Sequence, residues 1–356
     1  MQNLFNFSAG PAMLPQQVLR IAQKELCSFH NTGMSIMEIS HRNPIFEQVH
    51  NEALSNFRKL LNINEDYCII FMQGGAIAQN SLIPMNLLGN SIDASYAVTG
   101  AWSHKSAIEA KKYGNIHIAC FDQPFLGVPD INSWEINQNS TYLHVCTNET
   151  IDGIEFLQMP KTKIPIIADM SSHILSRQII IEDFGVIYGG AQKNIGPSGL
   201  TFSIIKKDLL NKSMSNCPSA LNWHTVYENN SMYNTPPTFA IYMAGLVFKW
   251  ILEQGGVEAI EKLNIQKSNN LYEYIDSSNF YENNIDKVYR SRMNIPFQLK
   301  NHSLNQEFLD QAEKNNLFGL KGHKSVGGMR ASIYNAMPMQ GVEKLINFMH
   351  QFAKYN

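Results

Sequence analysis

IPIIADMSSHILSRQIIIEDFGVIYGGAQKNIGPSG, residues 164–199, is the most informative stretch of this chain. It contains two short apolar runs, Ile164–Ala168 and Val186–Tyr188, whose β-branched residues are typical of buried strands. Asp169 follows the first run directly, and Lys193 follows the second after a few small residues. We therefore predict that both side chains emerge at the same edge of one sheet.

Seven β-rich runs alternate with helix-like segments between about residues 65 and 205. This alternation predicts an α/β fold with a mostly parallel sheet covered by helices. Several of the runs are apolar throughout, which is typical of strands buried on both faces. Ligands should then bind at the carboxyl ends of the strands. The runs are Cys68–Met72, Ser95–Val98, Ile116–Phe121, Tyr142–Val145, Ile164–Ala168, Val186–Tyr188 and Leu200–Ile205.

The chain has 356 residues, more than one hydrophobic core usually supports, so we expect two domains. The pair Gly255-Gly256 ends an apolar helical segment and indicates a boundary near residue 255. Beyond it, helical periodicity is mixed with short extended runs, which is typical of a smaller α+β lobe. We expect a large domain of residues 16–255 and a small domain of residues 1–15 and 256–356.

The composition indicates a globular protein that binds a small molecule. Apolar residues make up 44% and charged residues 16% of the chain, and the net charge is -2. Because the lysines and arginines are scattered, the sequence offers no electrostatic surface for nucleic acid or an anionic membrane. The segment Phe239–Ile251 contains Lys249 and is too short to span a bilayer, so we interpret it as a buried helix.

The five cysteines are widely separated and lack the close pairs of zinc sites or disulfide-rich secreted domains. We therefore predict no metal site and a reducing cytoplasmic location. The segment Met1–Gly10 has neither the basic region nor the apolar core of a secretory signal, which supports the same location.

Lys193 and Asp169 are the candidate catalytic residues. Lys193 comes after the predicted small-residue turn Gly189–Ala191. A lysine amine forms a Schiff base with an aldehyde cofactor, and a carboxylate keeps the pyridine nitrogen of such a cofactor protonated. Taken singly, each residue is also consistent with a simpler role, Asp169 capping a turn and Lys193 lying in a solvated loop.

Gly74 and Gly75 follow the strand-like run Cys68–Met72 and lead directly into a helical pattern. Backbone N–H groups and the positive end of the helix dipole meet at such a position, so it is a candidate phosphate site. An ordinary strand-to-helix turn explains the glycine pair equally well.

Trp102 and the segment Asn148–Thr150 follow two other predicted strands, so we expect both at the carboxyl edge of the sheet. An indole at that position can stack on a flat cofactor ring, although core packing is an alternative. Asn148–Thr150 offers amide and hydroxyl groups, or simply forms a polar turn.

Two groups of basic residues are candidate anion binders. His41-Arg42 is one group, and His323-Lys324 with Arg330 is the other. Arginine can bind a carboxylate or phosphate through two parallel hydrogen bonds. Each of these residues is also consistent with a solvated surface position.

Over essentially its whole length the sequence resembles the phosphoserine aminotransferase family, homodimeric class V enzymes of the fold-type I pyridoxal-phosphate proteins. Six blocks that occur in order support the resemblance. They are Phe5–Ala12 (FNFSAGPA), Glu38–Arg42 (EISHR), Asn148–Gly153 (NETIDG), Gly190–Pro197 (GAQKNIGP), Met232–Thr238 (MYNTPPT) and Gly322–Ser332 (GHKSVGGMRAS).

The resemblance implies a fold-type I architecture in which the large domain holds pyridoxal 5'-phosphate on a mostly parallel seven-stranded sheet. It implies that Lys193 is the Schiff-base lysine, that Asp169 pairs with the pyridine nitrogen and that Trp102 stacks on the ring. The other cofactor contacts that it implies are Thr150, Gln192 and the backbone of Ala76 and Ile77.

The resemblance also implies a homodimer with active sites at the subunit interface. By this analogy Asn234 and Thr235 reach the cofactor phosphate of the other subunit. The substrate's anionic groups would be held by His41, Arg42, His323 and Arg330.

Two positions differ from the pattern expected in bacterial relatives. Ile77 stands where many relatives have arginine, and Lys324 stands where they have arginine after histidine. Ile77 can still offer its backbone N–H but cannot pair with a substrate phosphate, and Lys324 keeps the charge without the planar guanidinium. These differences bear on the affinity for a phosphorylated substrate.

The expected reaction is reversible amino transfer between L-glutamate and 3-phosphohydroxypyruvate, giving O-phospho-L-serine and 2-oxoglutarate. The resemblance also implies the 4-phosphohydroxy-L-threonine step of pyridoxine biosynthesis. The alternatives are an aminotransferase for a non-phosphorylated ketoacid, a cysteine desulfurase, and a non-catalytic ligand-binding protein. Intact Lys193 and Asp169 argue against the last alternative, and no cysteine is placed as an obvious nucleophile for the desulfurase.

Overall fold

The computed structural model describes residues 4–156 and 158–356. Its strands are β1 (Phe5–Asn6), β2 (Tyr67–Met72), β3 (Asp93–Val98), β4 (Asn115–Phe121), β5 (Leu143–Cys146), β6 (Asn148–Glu149), β7 (Ile154–Glu155), β8 (Ile166–Asp169), β9 (Val186–Gly190), β10 (Thr201–Lys206), β11 (Tyr281–Glu282), β12 (Asn294–Leu299), β13 (Leu317–Phe318) and β14 (Met329–Ser332). Its α-helices are α1 (Gln16–Glu25), α2 (Pro44–Leu61), α3 (Gly75–Leu87), α4 (Ala101–Ala110), α5 (Trp223–Glu228), α6 (Thr238–Glu253), α7 (Gly256–Ser277), α8 (Asn305–Lys314) and α9 (Met339–Tyr355).

A seven-stranded sheet forms the centre of the molecule, in the order β2-β10-β9-β8-β5-β3-β4. β10 is antiparallel to both of its neighbours, and the other pairs are parallel. The prediction of a mostly parallel seven-stranded sheet is confirmed, and each predicted run overlaps one of its strands. Most of these strands are buried along their whole length, because helices cover both faces of the sheet.

The expected turn before Lys193 was placed too early. Gly189 and Gly190 belong to β9, where they pair with Phe202 and Thr201 of β10. A Cβ atom on Gly189 would lie 2.8 Å from the Phe202 ring, so glycine lets the two strands pack closely here. The apolar run alone did not indicate this pairing, because glycine carries no strand signal.

α2 and α6 pack against each other on one face of the sheet. Phe57 of α2 stacks on Phe248 of α6 at 4.7 Å between ring centroids and meets Phe202 of β10 edge-on at 5.3 Å. The predicted buried helix at Phe239–Ile251 is confirmed as α6. Among the described residues, no helix combines the length and apolar character needed to cross a membrane.

The opposite face is covered by α3, α4 and α5, which share a hydrophobic cluster with the sheet. Ile83 of α3, Ala107 of α4 and Trp223 of α5 are buried in this cluster. Because α3 and α4 each begin where a strand ends, their amino termini lie at the carboxyl edge of the sheet.

A separate hydrophobic cluster lies under the sheet β11-β12-β14 and the parallel pair β1–β13. α7 contributes to two hydrophobic clusters. Val257 belongs to the cluster between the seven-stranded sheet, α2 and α6, and Leu271 belongs to the separate cluster under β11-β12-β14. This distribution supports the expected division into residues 16–255 and residues 1–15 with 256–356, which stays a prediction. Residues 1–3 of the expected small domain lie outside the described residues.

Candidate active site

The carboxyl ends of β8 and β9 lie side by side and bring the two candidate catalytic residues together. The strands are parallel neighbours, with Asp169 at the end of β8 opposite Tyr188 of β9. Lys193 follows β9 in the loop that leads to β10. Both side chains line a cavity of about 460 Å³.

Most of the residues predicted for the site line this cavity, and four do not. The lining residues among them are Ala76, Ile77, Trp102, Thr150, Asp169, Gln192, Lys193, His323 and Arg330. The four outside it are His41, Arg42, Asn234 and Thr235. Of these four, Arg42, Asn234 and Thr235 are exposed on the surface.

The Lys193 amine has a defined position in the cavity. Its Nζ donates a hydrogen bond of 2.6 Å to the hydroxyl of Thr150 and lies 5.7 Å from the centre of the Trp102 ring. Loss of solvation lowers the pKa of the Lys193 amine, and the nearby Asp169 carboxylate opposes that shift. A lowered pKa increases the fraction of neutral amine, the form that acts as nucleophile and base.

The Asp169 carboxylate is oriented by Ser171, which the sequence did not single out. Oδ1 of Asp169 accepts hydrogen bonds from the Ser171 amide at 2.8 Å and from its hydroxyl at 2.6 Å. The Ser171 hydroxyl oxygen in turn accepts the N–H of Gly190 on β9 at 3.2 Å. Ser171 therefore links the carboxylate to the strand that leads to Lys193.

The amino terminus of α3 forms another part of the wall. Gly74 and Gly75 have φ values of +98° and +65°, a left-handed conformation that suits glycine. They turn the chain sharply from β2 into the helix, where Ala76 and Ile77 also line the cavity. The first N–H groups of a helix have no partner within it, so this end can bind an anion.

The amino terminus of α4 is capped by two carboxylates. Glu149 accepts the N–H groups of Trp102 and Ser103, each at 2.8 Å. Asp152 accepts the N–H of Ala101, also at 2.8 Å. The cap fixes the first turn of α4 and with it the backbone of Trp102. The sequence indicates only polar groups or a turn for the segment containing Glu149, because the cap depends on a contact made in the folded chain.

Glu149 is completely buried, and this burial has an electrostatic consequence. Burial raises the pKa of Glu149 to about 7, repulsion from Asp152 adds to the increase, and the hydrogen bonds from Ser103 and Trp102 oppose it. The carboxyl group that holds α4 in place therefore titrates in the neutral range.

The remaining wall is formed by basic residues at and before β14. Arg330 on β14 donates from Nη1 to the carbonyl oxygen of Thr150 at 3.4 Å, and its buried Nε has no partner within the described residues. His323 lies in the turn before β14, where Nδ1 is 2.6 Å from the Ser325 hydroxyl. Lys324 is exposed and does not line the cavity.

This set of residues fits pyridoxal phosphate. Lys193 would offer an amine to the aldehyde, Asp169 a carboxylate to the pyridine nitrogen, and the start of α3 its N–H groups to the phosphate. The indole N–H of Trp102 is buried without a partner among the described residues, so a further donor remains at the wall.

Comparison with known proteins places the chain in a class. The family model described as aminotransferase class-V matches residues 4–345. The chain therefore belongs to the class V aminotransferases.

Individual relatives narrow this assignment. A phosphoserine aminotransferase of Ralstonia pickettii (strain 12J) is 53% identical, over 99% of this chain and 96% of that protein. The solved structure of phosphoserine aminotransferase from Bacillus circulans subsp. alkalophilus is 44% identical with a TM-score of 0.97, covering 100% of this chain and 99% of that one. A pyridoxal-phosphate-bound phosphoserine aminotransferase from Trichomonas vaginalis is 41% identical with a TM-score of 0.95, covering 98% and 100%. Within the class, the chain belongs to the phosphoserine aminotransferase family, and the predicted resemblance is confirmed.

Proposed function

We propose that this chain catalyses reversible amino transfer between L-glutamate and 3-phosphohydroxypyruvate, giving O-phospho-L-serine and 2-oxoglutarate, with pyridoxal 5'-phosphate as cofactor. The observation that carries the proposal is that Lys193 and Asp169 line one cavity at the ends of adjacent parallel strands. The similarity to phosphoserine aminotransferases over the whole chain supports the choice of substrates.

When bound, the cofactor supplies an electron sink that makes the proton on the substrate Cα acidic. Lys193 would hold the aldehyde of the cofactor, and its amine, when free, would move the proton of the substrate Cα as general base and acid. Thr150 accepts a hydrogen bond from the Lys193 amine and so holds it at the cavity wall between these roles. Asp169, oriented by Ser171, would keep the pyridine nitrogen of the cofactor protonated.

The substrate's anionic groups face Arg330 and His323 in this proposal. The Arg330 guanidinium has donors left for a carboxylate, because the described residues give its Nε no partner and its Nη1 only a long bond to Thr150. His41 and Arg42 would complete the binding of the phosphate and carboxylate.

We further propose that the active site is completed by a second copy of the chain. Arg42, Asn234 and Thr235 are exposed and lie outside the cavity of their own chain, as expected for residues that serve the other subunit. Asn234 lines a separate cavity of about 290 Å³ together with Gly74, close to the start of α3. Pairing through this region would bring the exposed residues to the neighbouring phosphate site.

Two extensions of the proposal concern the acceptor. The first is the related four-carbon phosphorylated ketoacid, whose amination gives 4-phosphohydroxy-L-threonine on the route to pyridoxine. The second is a non-phosphorylated ketoacid, which is favoured by Ile77, an apolar side chain at the cavity that cannot pair with a phosphate.

The test compares 3-phosphohydroxypyruvate with hydroxypyruvate as amino acceptor from glutamate, using wild type, Lys193→Ala and Lys105→Ala. Lys105 is the matched control because its Nζ also lies 5.7 Å from the Trp102 ring but does not line the cavity. We expect wild type and Lys105→Ala to form O-phosphoserine, and Lys193→Ala to lose activity by at least about 10²- to 10⁴-fold. If the enzyme accepts only hydroxypyruvate, the proposed phosphorylated acceptor is wrong. Full activity of Lys193→Ala would contradict the proposed mechanism.

The proposed location is the reducing cytoplasm. All five cysteines are free in the structure, and three of them are buried. Free thiols in the interior are typical of proteins from reducing compartments.

A further inference from the structure

The loop that follows Asp169 ends in an unusual turn at residues 174–176. Leu175 has a φ of +61°, in the left-handed region that a bulky residue rarely adopts, and its side chain is fully buried. The three carbonyl groups of this turn each accept a hydrogen bond from a different asparagine side chain. The bonds are Asn194 Nδ2 to Ile174 O at 3.1 Å, Asn335 Nδ2 to Leu175 O at 2.9 Å and Asn264 Nδ2 to Ser176 O at 3.0 Å.

The three asparagines also bind one another, and we call them the asparagine cluster: Asn194, Asn264 and Asn335. Nδ2 of Asn264 donates to Oδ1 of Asn335 at 2.9 Å, and the backbone N–H of Asn335 donates to Oδ1 of Asn194 at 3.0 Å. All three side chains are buried, which strengthens their hydrogen bonds and makes rearrangement costly.

The cluster joins three distant parts of the chain. Asn194 follows Lys193 directly, Asn264 lies on α7, and Asn335 lies in the segment between β14 and α9. The fully buried Lys267 of α7 immobilises that last segment. Its Nζ donates to the carbonyl oxygens of Ile333, Tyr334 and Met337 at 3.0, 2.9 and 3.0 Å.

The loop that ends in this turn starts at the active-site cavity. Asp169 and Ser171 line the cavity, and the strained turn closes the loop a few residues later. The asparagine cluster therefore connects the loop of Asp169 to the residue next to Lys193.

We propose that the asparagine cluster is a positioning device, which holds the left-handed turn at Leu175 and thereby fixes Lys193 relative to Asp169. The proposal rests on the proposed function, because it assigns the cluster to the proton transfer by Lys193. Misplacing a catalytic group by about 1 Å can cost about 100-fold in rate, so even small movements of the Lys193 loop matter.

Two nearly isosteric variants, Asn194→Asp and Asn335→Asp, test the proposal. Each keeps the side-chain volume and replaces the amide donor by an oxygen facing a carbonyl group. The matched control is Asn86→Asp, because Asn86 is equally buried, donates to Leu82 O at 2.9 Å and Leu221 O at 3.0 Å, and does not line the cavity. Holoenzyme of each variant is compared at equal folded fraction.

We expect kcat for amino transfer to fall about 10- to 100-fold in both cluster variants, with KM for glutamate within about 3-fold of wild type. The two changes should be strongly non-additive in the double variant, because both disrupt one network. The pH at which the absorbance of the bound cofactor changes should also shift in the cluster variants. Asn86→Asp should leave kcat, KM for glutamate and the pH of the absorbance change close to wild type.

A second readout needs no substrate. Amide hydrogen exchange of the protein without cofactor should accelerate in residues 170–176 and 191–195 in either cluster variant, and not in Asn86→Asp. Cluster variants that resemble Asn86→Asp in kcat and in exchange would overturn the proposal. If the aspartate variants do not fold, Asn335→Ser, which keeps a small polar side chain, replaces them in the same comparison.

The two proposals fail separately. A wild-type enzyme without amino transfer would contradict the proposed function, while the exchange experiment would still test the cluster. An active wild type together with cluster variants that match Asn86→Asp in kcat and in exchange would contradict the cluster's role alone.

Discussion

The Ser171 hydroxyl donates a hydrogen bond of 2.6 Å to the carboxylate of Asp169 and at the same time accepts the N–H of Gly190 at 3.2 Å. A single side chain thus couples the end of β8 to the end of β9. Because the carboxylate is held from one side, its orientation depends on this hydroxyl as well as on the Ser171 amide.

Ser171→Ala should lower kcat about 10-fold, the effect expected when a bond of roughly 1.5 kcal/mol to a charged group is lost. The amide bond to Asp169 remains, which limits the loss. Steady-state kinetics with glutamate would measure it. Ser203→Ala is the control, because Ser203 is a buried serine of β10 whose hydroxyl has no partner in the described structure. An equal loss of activity in both variants would show that Ser171 has no special role.

Glu149→Gln should change how stability depends on pH. Burial raises the pKa of Glu149 to about 7, whereas a glutamate in an unfolded chain titrates near about 4.3. Between these two values the folded state binds a proton that the unfolded state does not, so the free energy of unfolding falls as the pH rises from about 4.5 to 7. Glutamine does not titrate, so the variant should lose less stability over the same range.

Urea unfolding at pH 5 and pH 7.5 would measure this difference for wild type and Glu149→Gln. The exposed Glu65→Gln serves as the control for replacing a carboxylate by an amide. A wild type and a Glu149→Gln variant with parallel pH profiles would contradict the titration of Glu149 in the neutral range.

Lys267→Met should destabilise the fold. Methionine fills a similar volume but leaves three buried carbonyl groups without their donor, which costs about 2–5 kcal/mol of unfolding free energy. Lys262→Met on the same helix is the control, because Lys262 forms an exposed ion pair with Glu258 and its loss should change stability little. Equal unfolding midpoints for the two variants would show that the hydrogen bonds from Lys267 do not stabilise the fold.

Ile77→Arg should alter the preference between acceptors. A guanidinium at the amino terminus of α3, where Ile77 lines the cavity, can pair with a substrate phosphate. KM for 3-phosphohydroxypyruvate should fall about 10-fold, while KM for hydroxypyruvate stays unchanged. Ile77→Met controls for the loss of the branched side chain. A parallel change of KM for both acceptors would show that position 77 does not meet the phosphate.

The positions of Asp169 and Lys193 were predictable because an apolar run precedes each of them, Ile164–Ala168 before Asp169 and Val186–Tyr188 before Lys193. Asp169 and Lys193 could therefore be assigned to one edge before any contact was known. The runs do not encode the partner of each strand, so the extension of β9 through Gly190 became visible only in the pairing with Thr201.

The supporting residues were not predictable in the same way. Glu149 caps α4 across a gap of more than forty residues, and Asn335 meets Asn194 from the small lobe. Lysine is mostly a surface residue, so Lys267 would be assigned to the exposed face of α7 from composition alone, yet it is fully buried. Such roles arise from tertiary contacts, which neither periodicity nor spacing along one element records.

The pairing of β1 with β13 sets the order in which the protein can be completed on the ribosome. Phe5 lies opposite Leu317, so β1 waits for about 310 further residues, roughly 15–60 s at ordinary rates of synthesis. Phe5 and Phe7, both buried in the finished lobe, have no partner strand during this interval. A ribosome that stalls before residue 317 therefore carries a chain in which these two aromatic side chains are unburied, and exposed apolar surface of this kind is what chaperones bind.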